Sequence, residues 1–264
     1  MKFSDKEHEI DHSWLFRRMP ILTALADRPH TSGELTDRLD HSRTTVYRAT
    51  AELAERNLID GTNRGYELTP LGAVIVEQAR WFRRSVASAV ELRAALDVID
   101  SPLLWRHLSL FADAAVFGID RGNPYSVTDR LLALAAEATE WRGVYTSAGV
   151  SGVVGRGLAA APADARVDLV GPRERFERSF ENAPGGTDAI ADSDRVHLTF
   201  VDDVPLEAQT FDDTAVLTGF DPDNGFPTVL IETDDPEAVE WVQKLHAFYR
   251  SEGERPESTR QLVS

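Results

Sequence analysis

Cysteine is absent from the 264 residues, which excludes disulfides, thiolate metal sites and cysteine nucleophiles together. Lysine is nearly absent: only Lys2, Lys6 and Lys244 occur, and arginine supplies the rest of the 28 basic residues. No uninterrupted apolar run approaches the roughly 18 residues that a membrane helix needs, so no membrane partner is expected. The opening MKFSDKEHEIDHSW is charged where a secretory leader would be apolar, and a cytoplasmic location is expected. The seven histidines, His8, His12, His30, His41, His107, His197 and His246, are read as scattered, with no metal site among them. No cofactor is expected.

Acid is abundant. Forty-four Asp and Glu against 28 Lys and Arg give a formal net charge of −16. An acidic, lysine-poor surface suits a protein that must stay soluble in molar salt, so a halophilic source is expected. At about 1 M salt the Debye length is only about 3 Å, which weakens repulsion between an acidic protein and DNA. The charge is also uneven. Residues 1 to 70 hold ten basic and twelve acidic residues, so nearly all the excess falls on residues 71 to 264.

Within the near-neutral part, Leu15, Met19, Leu22 and Leu25 recur at three- and four-residue steps, predicting a helix over 12–26 that ends at Asp27-Arg28-Pro29. Thr31 or Ser32 caps a short second helix to Leu39, with Glu34 placed for a capping box. A turn at Asp40-His41 follows, and Ser42 caps a third helix whose inward face is Val46, Thr50 and Leu53. The segment LIDGTNRGYELT then reads as a hairpin around Gly61, Asn63 and Gly65. Three helices and a hairpin in this order form a winged helix-turn-helix, which sets its third helix in the major groove.

The outward positions of the third helix are Arg43, Thr44, Tyr47 and Arg48, none acidic. Arginine pairs with guanine edges or phosphates, and the hydroxyls of Thr44, Thr45 and Tyr47 can donate to phosphate. Ser32 and Ser42 at helix amino termini and Arg64 at the hairpin tip complete the expected DNA contacts. The alternatives are a protein-interaction module or a merely solvated helix face.

The run SRTTVYRATAELAERNLI at 42–59, followed by the hairpin and LTPLG, resembles the winged-helix domains of archaeal and bacterial regulators of the MarR/ArsR superfamily. The resemblance covers about residues 12 to 75 and implies that the helix beginning at Ser42 reads DNA.

Thr69-Pro70 caps a long helix that can run to about Asp97. Leu71, Ile75, Gln78, Phe82, Val86, Ala89, Arg93 and Leu96 form a stripe with steps near 3.5, which suits a homodimer seam or packing on the chain's own second domain. Arg80, Arg83 and Arg84 beside Trp81 make a basic spot that could meet phosphate or a neighbour's acids.

Beyond Asp100-Ser101-Pro102, strand-like and helix-like segments alternate. AAVFGI, RGVYTS, RVDLVG, RVHLTFV, TAVLTGF and TVLIET read as strands. VTDRLLALAAEA, SGVVGRGLAAA, PRERFERSFENA and PEAVEWVQKLHAFYRSE read as helices. Between Val204 and residue 233 the pattern becomes a hairpin meander with its turn at DPDNG. Residues 100 to 251, above all NPYSVTDRLLAL and FDDTAVLTGFDPDNGFPTVLIETDDPEAVEWVQKLHAFYRSE, resemble the middle domain of archaeal regulators typified by a methanogenesis regulatory protein. With the winged helix before it, the resemblance implies a transcription regulator. A more distant likeness is to the phospholipase-D-like sensor domains of TrmB sugar regulators; here His197-Leu198-Thr199 stands where a catalytic His and Lys would be two apart, so no catalysis is implied.

Chemistry sought independently gives little. Asp202-Asp203, Asp212-Asp213 and Asp234-Asp235 at strand ends read better as solvated turns than as catalytic carboxylates, and no GxSxG elbow anchors a triad. The suggestive segment is Ala148 to Gly157, where a strand ends and a helix begins. Ser147, Ser151 and Gly152 could hold an anionic ligand there, or the glycines could simply permit close packing.

The expected fold is α+β: a winged-helix DNA-binding domain over 1–69, a linker or dimerisation helix over 70–99, an α/β sensor domain with a central sheet over 100–251, and a disordered tail over 252–264. The expected function is a sequence-specific transcription regulator, not an enzyme. Its partners would be double-stranded DNA, a second copy through helix 70–97, and a small-molecule effector. A hydrolase or transferase with a winged-helix adaptor, or a ligand-independent architectural protein, are the other readings.

Overall fold

A computed structural model describes residues 11–149, 152–181 and 195–255. The chain divides into two compact units, Met1–Arg83 and Arg84–Ser264. Both mix helices with strands, as an α+β chain should.

The first unit opens with α1 (His12–Asp27), capped by the Asp11 carboxylate, which accepts from Ser13 N at 2.8 Å. Helix α2 (Ser32–Leu39) has the expected capping box, and Thr31 is the capping residue. The Thr31 amide donates to the Glu34 carboxylate at 2.7 Å, while the Glu34 amide donates to Thr31 Oγ1 at 3.3 Å. Asp40 ends α2 in the left-handed region, φ 50°, a conformation that Asp tolerates better than most residues. Helix α3 (Arg43–Glu55) starts from Ser42 and buries Val46, Ala49, Thr50 and Leu53. These meet Leu22, Leu25, Leu35, Leu58 and Ile59 in one core.

Strands β1 (Ile59–Thr62) and β2 (Gly65–Leu68) form an antiparallel hairpin. It is joined to the α1–α2 connection by a bridge from His30 to Tyr66, with amide-to-carbonyl bonds of 3.1 and 2.8 Å. Gly65 has φ 116°, and a Cβ there would overlap the His30 carbonyl. Only glycine fits this turn without strain.

Helix α4 (Pro70–Glu91) begins at Thr69, whose Oγ1 accepts from Gly72 N at 3.0 Å and donates to Asn57 O at 2.7 Å. It stops short of the expected end. Leu92 leaves helical geometry at φ −86°, ψ 6°, and the chain resumes as α5 (Arg93–Leu96). Leu92 and Ala95 are buried in the core of the second unit, so packing redirects a segment whose local pattern is continuous.

The second unit carries a seven-stranded mixed sheet in the order β3 (Ala115–Gly118), β9 (Pro227–Thr233), β8 (Thr214–Phe220), β7 (Glu207–Phe211), β4 (Glu140–Val144), β5 (Arg166–Gly171) and β6 (Val196–Phe200). Strands β4, β5 and β6 are parallel. The remainder, β7, β8, β9 and the edge strand β3, is antiparallel, with β7 against β4. Two apolar layers cover it. On one face α7 (Ser126–Glu137), α8 (Val153–Ala160) and α9 (Arg173–Glu181) contribute Leu131, Leu158 and Phe176. On the other, α10 (Pro236–Glu252), α6 (Pro102–Trp105) and a 3-10 turn at Leu108–Phe111 contribute Val242, Leu104 and Phe111.

Strand β7 is absent from the strands read in the sequence. Glu-Ala-Gln-Thr-Phe looks polar, yet all five residues are buried. The sheet makes room for Gln209 because Trp141 Nε1 and Tyr145 Oη both donate to its Oε1, at 3.0 and 2.7 Å. The expected disordered tail over 252–264 needs correction at its start, since Glu252 closes α10 and Glu254 pairs with Phe200 through two backbone bonds of 2.8 and 2.9 Å. Residues 256–264 lie outside the described residues.

Candidate nucleic-acid interface

Helix α3 separates its two faces cleanly. Val46, Ala49, Thr50 and Leu53 are buried, while Arg43, Thr44, Tyr47 and Arg48 are exposed together on the opposite side. Tyr47 is 69% exposed, which for a tyrosine outside any core leaves the ring and hydroxyl available to a partner. Ser42 and Thr45 are exposed as well, but they are engaged with each other: Ser42 Oγ lies 2.8 Å from Thr45 Oγ1 and accepts from Thr45 N at 3.2 Å. Their first role is therefore to start the helix. Ser32 is exposed in the first turn of α2. Arg64 is exposed in the two-residue turn between β1 and β2, its amide donating to Thr62 Oγ1 at 3.2 Å.

Two acids of this unit are engaged by neighbouring donors. Glu52 accepts from Arg18 Nη2 at 2.6 Å and from Trp14 Nε1 at 3.0 Å, and these bonds hold its carboxyl below the usual carboxylate range. Arg48 lies 3.8 Å from the same carboxylate, with its side chain 74% exposed. Glu34 is likewise committed, its pKa drawn down to about 2 by the Thr31 amide first and then by Arg28. Trp14 and Arg18 were not among the residues singled out in the sequence. A tryptophan one turn from an arginine at the start of α1 is the only local signal, and nothing local links it to position 52.

The stripe read along residues 71–96 is divided in the structure. Leu71, Phe82 and Val86 are about half exposed. Ile75, by contrast, packs on the core of the first unit, and Ala89 and Leu96 pack on that of the second. Val74, Trp81 and Val90 widen the exposed apolar face of α4. Phe82 also meets Phe16 with ring centroids 6.2 Å apart. In the basic spot beside it, Arg80 pairs with Glu77 at 3.0 Å, and Arg83 and Arg84 are exposed.

The expected ligand segment of the second unit is described only in part. Ser147 is exposed and its amide donates to Asp203 Oδ1 at 3.3 Å. Ser151 lies outside the described residues. Gly152 is buried at the start of α8 with φ 103°. A Cβ on Gly149 would overlap the buried Arg175 guanidinium, so this glycine serves close packing. The acid pairs fall at turns. Partial burial pushes Asp212 up, but bonds from the Thr139 hydroxyl at 2.7 Å and the Glu140 amide at 2.9 Å prevail and hold it below its ordinary range.

The reading of the histidines as scattered needs one correction, because His8-Glu9-Ile10-Asp11-His12 has HExxH spacing. His8 and Glu9 lie outside the described residues, and His12 is exposed at the first position of α1. Among the described residues no group of three His, Cys, Asp or Glu is placed to hold a metal, and no helix is long and apolar enough to cross a membrane.

Two family models match the chain. One, described as the HVO_A0261 N-terminal domain, covers residues 14–91. The other, described as the middle domain of the methanogenesis regulatory protein FilR1, covers residues 124–252. No curated protein matches in sequence. Among solved structures, the archaeal chromatin protein TrmBL2 is 14% identical with a TM-score of 0.40, over 95% of this chain and 96% of its own. NucT from Helicobacter pylori, 14% identical with a TM-score of 0.39, covers 55% of this chain and 99% of its own. The phospholipase D family member Nuc from Salmonella typhimurium is 15% identical with a TM-score of 0.42, over 55% and 97%. At these scores the likenesses in chain path are loose.

Proposed function

We propose that the chain is a sequence-specific DNA-binding transcription regulator that acts in the cytoplasm as a homodimer. The observation that carries this reading is the exposed face of α3. Arg43, Thr44, Tyr47 and Arg48 stand together on a helix that follows a short helix and a tight turn and precedes a hairpin. In a winged helix-turn-helix that face enters the major groove, with the hairpin tip, here Arg64, along the backbone. Glu52, the nearest acid of α3, is engaged first by Arg18 and Trp14, and Arg48, 3.8 Å from it, keeps its side chain 74% exposed.

The match to a regulator's middle domain over 124–252 supports the same reading from the other unit. The narrower likeness to MarR and ArsR regulators rests on the run 42–59 with the hairpin and LTPLG that follow it. A second copy would cover Leu71, Val74, Phe82 and Val86 of α4, and two α3 helices would then read two half-sites. Ligand binding in the second unit would change DNA affinity through α4, the helix that leads from one unit to the other.

The test is DNA binding to promoter fragments in molar potassium chloride, followed by fluorescence anisotropy, for the native chain and for Arg43→Ala and Arg48→Ala. Each loss of a base or phosphate contact is expected to weaken specific binding by roughly fivefold to a hundredfold. Undiminished binding by both variants, with unchanged circular dichroism, would sink the assignment of α3.

A further inference from the structure

Four buried side-chain oxygens without a hydrogen-bond partner belong to residues around a single cavity: Ser101 Oγ, Thr146 Oγ1, Glu207 Oε2 and Thr218 Oγ1. Ser101, Glu207 and Thr218 are only 1%, 4% and 3% exposed. They come together from separate segments. Glu207 opens β7 directly opposite Thr218 of β8, Thr146 follows the end of β4, and Ser101 precedes α6. Thr146 approaches the Glu207 carboxyl without completing a bond of ordinary geometry. Native proteins leave few buried polar atoms unpaired, so four around one cavity ask for a common cause.

The cavity has a volume of about 420 Å³, within the range of small-molecule sites. Its walls are of two kinds. Val98, Ile99, Leu206 and Phe220 are apolar, whereas the charged residues lining it, Asp100, Asp203 and Glu207, are all acidic. An anionic occupant is disfavoured because Asp100 and Asp203 line the cavity and no basic side chain does. A bare metal ion is disfavoured as well, because no three acids or histidines among the described residues are placed to ligate one. An ammonium group fits, since it presents three donors to oxygens that can accept. The oxygens are sealed from solvent, so binding an occupant would require their side chains to rotate between staggered positions.

We propose that this cavity is the effector site of the second unit and that it takes a small organic molecule bearing a primary ammonium group on a short apolar body. Val98 to Ser101 form one wall, and they directly follow α4 and α5. An occupant therefore touches both the sheet and the segment by which the connecting helix enters it. The word effector rests on the regulator reading above, whereas binding in the cavity stands apart from it.

The test is calorimetric titration of the full chain with n-butylammonium chloride at constant ionic strength, with n-butanol and sodium butyrate as uncharged and anionic controls. Saturable binding of butylammonium is expected, at least about tenfold tighter than either control and weakened about tenfold or more in Glu207→Gln and Thr218→Val. Ser101→Ala, a smaller change, serves if either variant loses its native circular dichroism. No saturable binding, equal binding of butanol, or binding unaltered in every folded variant overturns the site. DNA affinity is then measured with and without butylammonium. An unchanged affinity with the cavity filled overturns the effector role, and failure to bind DNA under either condition counts against the regulator reading while leaving the cavity result intact.

Discussion

Arg18 Nη2 of α1 lies 2.6 Å from Glu52 Oε2 of α3, and this bond decides which charges the exposed face of α3 presents. Without Arg18, the Glu52 carboxylate keeps only the Trp14 indole bond and can draw in Arg48, already 3.8 Å away. Arg18→Ala is therefore expected to weaken DNA binding by roughly threefold to tenfold, although Arg18 is not on the reading face. Adding Glu52→Gln should restore most of the loss. Anisotropy titrations of the single and double variants check this, and an unrestored double variant would show that Arg18 acts in another way.

Arg64 at the hairpin tip is expected to touch phosphate. Arg64→Ala should weaken binding evenly across specific and nonspecific fragments and lower the slope of log affinity against log salt by about 1. A loss confined to one sequence would point instead to base reading by this side chain.

Gly65→Ala tests the hairpin. Its left-handed backbone and the His30 carbonyl leave no place for a Cβ, so a destabilisation of at least about 2 kcal/mol is expected. In calorimetry this should appear in the unfolding of the first unit.

Burial pushes Glu207 up from 4.5 to about 7, although Arg175 works against it. The folded chain then keeps this proton between about pH 4.5 and pH 7 while the unfolded chain has released it. Stability should fall as pH rises through that window, by about 3 kcal/mol in all, and level off above it. Tyr145, whose phenol burial raises further, stays neutral across the window. Urea unfolding at several pH values checks the slope, which Glu207→Gln should flatten.

Gln209→Leu would leave the Trp141 indole and the Tyr145 hydroxyl buried without their shared acceptor. At about 1 to 3 kcal/mol for each of the two orphaned donors, a loss of roughly 2 to 6 kcal/mol is expected from denaturant unfolding.

Local signals were enough for the first unit. Thr31 with Glu34, Ser42 with Thr45, and the apolar steps through Leu22 and Val46 are contacts within three or four residues, so spacing alone implied them. The same signals marked Arg43, Thr44, Tyr47 and Arg48 as outward, since a helix whose inner face is apolar has no other place for them. The alternation of strands and helices after residue 100 was legible for the same reason.

What the sequence by itself determined is therefore the order of elements and the outward face of α3, both set by residues close along the chain. Tertiary structure alone decided the rest. Glu52 is engaged by Arg18 and Trp14, 34 and 38 positions away. Strand β7 is buried despite its polar letters because Trp141 and Tyr145, more than sixty residues earlier, satisfy Gln209. Ser101, Thr146, Glu207 and Thr218 meet only because the sheet sets β7 between β4 and β8, and no spacing along the chain encodes that neighbourhood.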